Sequence, residues 1–191
     1  MKNTFISFLF LASLSLLLSS CTKENNGIEL KEVEDVCTQM DDINFMNFCY
    51  TNFDVNKDGK VSMIEANAVR EIFVADKNIK SLIGIEYFTN LTELDCTYNE
   101  LTSLDASKCI NLTELRCYSN NLTSLDVSKC VNLTELECYS NNLTSLDVSK
   151  CINLTELYCT DNPLTIIYMN AKHKVIYSIY PEGVNIEYLD S

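Results

Sequence analysis

From residue 91 onward apolar side chains return at fixed places. Leu91, Leu94, Cys96 and Leu101 are followed 21 residues later by Leu112, Leu115, Cys117 and Leu122, then by Leu133, Leu136, Cys138 and Leu143, and then by Leu154, Leu157, Cys159 and Leu164. Around each middle Leu, polar and apolar positions alternate, as in Glu114-Leu115-Arg116-Cys117, which is the period of a short strand buried on one face. Asn99, Asn120, Asn141 and Asn162 stand at the next fixed place. A short amide there suits a bend, because it satisfies backbone groups that the bend leaves open. A degenerate unit precedes these four: Val69, Ile72, Val74 and Ile79 match the apolar places, Lys77 replaces the Asn, and one extra residue falls before Leu91. Five turns over 69–165 follow. No single turn can bury its own apolar edge, so neighbours must stack into one core.

The pattern Leu-x-x-Leu-x-Cys-x-x-Asn-x-Leu resembles the leucine-rich-repeat signature with Cys in the third apolar slot. That resemblance implies a leucine-rich-repeat solenoid with short parallel strands on a concave face. The second half of each unit, Leu-Thr-Ser-Leu-Asp followed by Ala or Val, Ser, Lys and Cys, is short and turn-rich, which predicts an irregular or 3₁₀ convex side. Residues 166–191 leave the repeat. Val175, Ile176, Tyr177, Ile179 and Tyr180, then Pro181-Glu182-Gly183, then Val184, Ile186 and Tyr188 predict two strands around a turn, a cap for the last rung.

The other end begins with Lys2, an apolar run over 5–18 and the small residues Ser19 and Ser20, the architecture of a signal peptide over 1–20. The run is short for a membrane span. Leu18-Ser19-Ser20-Cys21 also resembles the lipobox of bacterial lipoproteins, which implies that Cys21 becomes an acylated N-terminus; a plain secretory leader is the other reading. Residues 21–35 are mostly polar and read as a tether.

Between tether and repeats, residues 54–65 carry Asp54, Asn56 and Asp58 at alternate places, Gly59 at the turn, Lys60 and Ser62 beyond it, and Glu65 at the end. This is the spacing of an EF-hand loop. A hard cation takes six to eight oxygens at about 2.3–2.6 Å, which alternate short side chains, the Lys60 carbonyl, a water on Ser62 and a bidentate Glu65 would supply. We therefore expect Ca²⁺ in a structural role, against an alternative of a metal-free Asn/Asp turn. Ile43, Met46 and Phe53 before the loop, and Met63, Ala66, Val69 and Ile72 or Phe73 after it, predict a helix-loop-helix over 36–68. Val61 would pair with a second loop in a paired hand, and no second loop motif follows.

Strand alternation sends Glu71, Glu93, Glu114, Glu135 and Glu156 outward in one column, and Phe73, Asp95, Arg116, Glu137 and Tyr158 in the next. The second column changes at every turn while its neighbours hardly do. Its members, with Tyr118 and Tyr139 beside them, are the candidate partner-binding residues. The Glu column puts carboxylates about 4.8 Å apart, so they repel unless water, cations or a basic partner screens them; a soluble residue copied with the repeat is the plainer reading.

Composition narrows the function. Asp and Glu number 27 against 14 Lys and Arg, which leaves no cationic footprint for nucleic acid. His173 is the single histidine, and equivalent carboxylates in every turn offer no differentiated acid and base, so no enzyme is expected. Seven of ten Cys recur with the period and read as buried free thiols, while a bridge between Cys37 and Cys49 stays open. Lipobox, calcium loop, the run over 82–91 and the repeats together resemble bacterial surface leucine-rich-repeat lipoproteins, distantly similar to internalins. The resemblance implies a lipid-anchored, non-enzymatic binding protein of the cell envelope, at the outer membrane, with a protein or glycan ligand. A structural envelope or assembly protein without a soluble ligand is the alternative.

Overall fold

The computed structural model describes residues 34–171 and 177–190. The leader, Cys21 and nearly all of the tether lie outside the described residues, as do His173, Val175 and Ile176. The described chain opens with a 3₁₀ turn, Val36–Gln39, followed by helix α1 (Ile43–Phe53) and helix α2 (Met63–Ala68). Asp42 caps α1 by accepting from the Asn44 and Phe45 N–H groups at 2.8 and 3.0 Å. Its second oxygen accepts from Lys80 N at 2.7 Å, so the cap also ties the helix to the first turn. The side chains that α1 buries completely are Phe45 and Cys49, one helical turn apart, rather than Ile43, which is exposed.

Helix α2 is shorter than the apolar spacing implied. Val69 already has extended backbone, with φ −71° and ψ 135°, and Ile72 and Phe73 belong to a strand. The same apolar residues fit both a helix and the first repeat turn, and the repeat wins because Ile72 packs in register with Leu94 below it.

Eleven strands follow: β1 (Glu71–Phe73), β2 (Glu93–Asp95), β3 (Ser103–Asp105), β4 (Glu114–Arg116), β5 (Ser124–Asp126), β6 (Glu135–Glu137), β7 (Ser145–Asp147), β8 (Glu156–Tyr158), β9 (Ile166–Asn170), β10 (Tyr177–Ile179) and β11 (Asn185–Leu189). The main sheet has the parallel order β1-β2-β4-β6-β8-β10. Its inner residues Ile72, Leu94, Leu115, Leu136 and Leu157 are fully buried, one above the other. Leu91, Leu112 and Leu133, and Cys96, Cys117, Cys138 and Cys159, make parallel columns that are equally buried. Each buried Leu contributes about 1.5–3 kcal/mol of transfer free energy, and only the neighbouring turns supply its partners.

The second side is more regular than the irregular or 3₁₀ path expected of it. Each Ser-Leu-Asp triplet is a strand, giving β3-β5 and β11-β9-β7 as two further parallel sheets, and the 3₁₀ turn Ile85–Tyr87 occurs only on the first turn. The reason lies in the middle Leu. Leu104 and Leu146 are buried, so these triplets also run with one face inward. Gly84, at φ +103°, lets the chain pass Met40; a Cβ there would stand 2.5 Å from Met40 Cγ.

At the C-terminus both expected strands exist, and Gly183 turns the chain between them at φ +80°. They do not pair with each other. β10 aligns Tyr177, Ser178 and Ile179 with Glu156, Leu157 and Tyr158, while β11 pairs with β9 on the other side. The segment covers the last rung by adding one more, in the 21-residue register, with Ser178 in the place of the inward Leu.

Candidate binding face

The outer positions of the main sheet fall into columns because the strands pair in strict register. Glu71, Glu93, Glu114, Glu135 and Glu156 form the first. The second runs Phe73, Asp95, Arg116, Glu137 and Tyr158, and continues into Ile179, which lies beyond the repeat and was not anticipated. All five expected members of this column are thus neighbours on one surface.

Arg116 is the centre of that surface. Its Nη1 lies 2.6 Å from Glu93 Oε1 and its Nη2 2.6 Å from Glu114 Oε2, while Glu135 and Glu137 approach to 3.7 and 3.8 Å. The five side chains are between 21% and 36% exposed, so their charges are only partly screened by water. Burial alone would loosen the proton on Arg116, but the hydrogen bond to Glu93 and the charges of Glu135, Glu114 and Glu93 hold its pKa above the usual value. One guanidinium therefore serves four carboxylates. The repulsion expected along the Glu column is relieved in its middle by the chain itself.

The relief is incomplete at Glu137. Burial, a hydrogen bond with Glu135 and the Glu135 charge push its carboxyl up to about 7, against the opposing pull of Arg116. Glu137 therefore keeps a proton up to near neutrality. Further along the column, the Tyr158 hydroxyl donates to Glu156 Oε2 at 2.9 Å, a bond that, with burial, pushes the phenol up to about 12.

Tyr118 and Tyr139 flank this network as expected, and they stack with centroids 4.3 Å apart and planes 9° from parallel. Tyr98 joins them edge-on to Tyr118 at 5.3 Å. It sits at the bend rather than on the strand, with φ 53°, so alternation along the strand could not reveal it. Tyr177, itself exposed, packs beside half-buried Tyr158 at 5.5 Å, and Phe73 is exposed at the opposite end of the sheet. Elsewhere, a groove of about 640 Å³ runs past Asn90, Asn111, Asn132 and Asn153. Their amides donate to carbonyls of the preceding turn at 2.9–3.2 Å, so this polar strip joins turns rather than awaiting a ligand.

A second feature is the loop from Asp54 to Glu65. Asp54 accepts from Asp58 N and Gly59 N, Asn56 from Asp58 N, and Asp58 from Lys60 N, all at 2.9–3.1 Å. Lys57 and Gly59 supply positive φ, 60° and 84°. Glu65 folds back over the start of the loop. One of its oxygens accepts from Val55 N and Asn56 N, and the other closes a capping box with Ser62 N and Oγ at 2.9 and 2.8 Å, which depresses its pKa, Ser62 N–H first. Among the described residues, no three His, Cys, Asp or Glu side chains converge closely enough to hold a metal. Val61 does find a partner, supplied by the chain upstream: Val36 N donates to Val61 O at 2.9 Å and Val61 N to Asp35 Oδ1 at 3.1 Å.

A model of leucine-rich repeats in two copies matches residues 89–130. The fold is a leucine-rich-repeat solenoid. Among solved structures, the functional domain of InlJ from Listeria monocytogenes, described as including a cysteine ladder, aligns with 27% identity and a TM-score of 0.59 over 83% of this chain and 45% of that one. An internalin, inlF, from the same organism aligns with 19% identity and a TM-score of 0.55 over 81% of this chain and 55% of its own. The chain thus spans about half the length of these neighbours. No curated protein matches it. The leucine-rich-repeat turns here carry their own column of buried thiols at Cys96, Cys117, Cys138 and Cys159.

The raised Glu137 carboxyl makes stability depend on pH. A carboxyl raised to about 7 in the folded protein holds a proton that the unfolded chain releases near 4.5, so its contribution is full at low pH and is lost as pH rises towards and through 7. Urea unfolding of Glu137→Gln, whose amide cannot ionise, is expected to lack this decline, so that the variant gains on wild type as pH rises from about 5 to about 8. Parallel pH profiles for the two proteins would contradict the assignment.

Proposed function

We propose that this chain is a non-enzymatic, lipid-anchored binding protein of the bacterial cell envelope. In this reading the outer face of the main sheet recognises a protein through a basic segment. The observation that carries the reading is the charge imbalance around Arg116: four carboxyl groups surround one guanidinium, and burial together with neighbouring Glu135 keeps a proton on Glu137 up to near neutrality despite the pull of Arg116. A second cation, Lys or Arg of a partner, would take that proton's place. The stacked faces of Tyr118 and Tyr139 offer cation–π contact to the same side chains. Leu18-Ser19-Ser20-Cys21 supports the anchor, with Cys21 as the acylated residue at the outer membrane.

A lysine-rich peptide is the probe for this face. Titrated against the wild-type chain, it should bind more tightly as pH rises from 6 to 8, and the double variant Tyr118→Ala, Glu137→Ala should lose at least about tenfold in affinity. Equal binding by wild type and variant, or equal binding of a glutamate-rich peptide or neutral glycans, would sink the basic-partner reading. The alternative of an assembly protein is favoured by the exposed Tyr177, Ile179, Tyr180 and Tyr188 on the last rung. Concentration-dependent self-association in sedimentation, unaffected by the face variant, would transfer the conclusion to it.

The loop over 54–65 is proposed as a structural calcium site. Asp54, Asn56, Asp58, Ser62 and Glu65 offer side-chain oxygens and Lys60 its carbonyl, a hard donor set suited to Ca²⁺. Glu65 would exchange its capping bonds for the ion. Ca²⁺ is then expected to raise the melting temperature and chelator to reverse the rise. Glu65→Gln should abolish the difference, and a wild-type melting temperature indifferent to both additions would remove calcium from the account.

A further inference from the structure

Two thiols in the structure stand apart from the rest. In the repeats, the Cys109, Cys130 and Cys151 sulfurs donate to the main-chain carbonyls of Ile85, Ala106 and Val127 at 3.8, 3.3 and 3.5 Å, and Cys96 to Arg116 O at 3.5 Å. Those thiols are committed to the backbone. Cys37 and Cys49 instead face each other. Cys37 lies on the 3₁₀ turn that packs on α1, Cys49 lies on α1, both are fully buried, and the two thiols are close enough to perturb each other's ionisation. Around them the same two segments are held together a second time, by the Tyr50 hydroxyl donating to Asp35 Oδ2 at 2.6 Å.

We propose that Cys37 and Cys49 are the site of a disulfide that clamps the segment carrying Asp35 and Val36 onto α1. The segment matters because it takes the place of a second loop beside Val61 and Ser62: Asp35 bridges Ser62 in antiparallel fashion, and Val36 N bonds Val61 O. Holding it in place holds the return side of the 54–65 loop. Chemically, each thiol gives up its hydrogen and one S–S bond forms. The two electrons and two protons pass to an oxidant of the disulfide class by thiol–disulfide exchange through a mixed disulfide. Export to an oxidising compartment, part of the reading above, would supply such an oxidant. Exchange needs a thiolate, and the neighbouring Cys37 thiol together with burial keeps Cys49 protonated in the folded chain, its pKa above the usual value. The bridge therefore forms while the chain folds, before the pair is sealed. It closes a loop of about a dozen residues, enough to restrict the unfolded chain appreciably.

The test does not depend on export. The whole chain is refolded from denaturant in a mixture of reduced and oxidised glutathione, its remaining thiols are alkylated under denaturing conditions, and peptides are mapped by mass spectrometry. The proposal expects a Cys37–Cys49 peptide pair two hydrogens lighter than the dithiol, with the seven repeat thiols alkylated. It also expects the wild-type melting temperature to fall by about 5 °C or more on reduction, while Cys37→Ala, Cys49→Ala shows no such redox dependence. Alkylation of both Cys37 and Cys49 after oxidative refolding, linkage of either to a repeat thiol, or a melting temperature unchanged by reduction of the bridged protein would overturn it.

Discussion

The carboxamide of Asn120 faces two turns at once. Its Nδ2 donates to Cys96 O of the turn before at 3.0 Å and to Cys117 O of its own at 3.1 Å, and its Oδ1 accepts from Leu101 N at 3.0 Å. Asn141 and Asn162 repeat the arrangement one and two turns on, and Asn99 makes the corresponding bonds to Val74 O and Ile79 N. All four are at least nine-tenths buried, so a missing partner would leave main-chain groups unsatisfied away from water, at about 1–3 kcal/mol each. The residue before each, Tyr98, Ser119, Ser140 or Asp161, is held at φ 51–55°, a conformation that costs about 1–2 kcal/mol for an L-residue. The Asn bonds offset that cost and fix where each strand ends. Register, and with it every column on the surface, depends on them.

A fixed register is what turns a sequence column into a surface. Arg116 reaches Glu93 on one neighbouring strand and Glu135 and Glu137 on the other because strands β2, β4 and β6 cannot slip past one another. The same rigidity stacks Tyr118 on Tyr139. A partner would meet an array already ordered, with little conformational entropy left to lose on binding. The other end of the chain relies on a different device. There the upstream segment around Val36 gives the 54–65 loop a backbone partner through a single bridge, and Asp42 links α1 to Lys80 of the first turn.

The period of 21 and the inward Leu and Cys were legible because one residue type recurs at each buried place, and strand alternation then gave the outward columns without further information. What was not legible depended on choices that periodicity does not make. Whether Ser103-Leu104-Asp105 forms a strand or an irregular turn depends on how deeply Leu104 is buried. The segment after Ile166 was expected to fold on itself around Gly183, yet open edges on two sheets drew its strands apart. The Glu column announced repulsion but not its remedy, since the direction taken by a long Arg side chain among carboxylates on three strands is a matter of packing. Val36 carries no motif at all and becomes informative only once Val61 lies opposite it.

The measurement that tests the dependence on the Asn bonds most directly is native-state hydrogen exchange, amide by amide. Leu101, Leu122 and Leu143 donate their N–H to the Asn of the following turn, whereas Ser107 and Ser128 donate to exposed Asp105 and Asp126. If buried Asn bonds hold the turns together, the three Leu amides exchange only through global unfolding, orders of magnitude more slowly than the two Ser amides. Exchange of the Leu amides at the rate of the Ser amides would show that the turns open locally and that the register is maintained by something else.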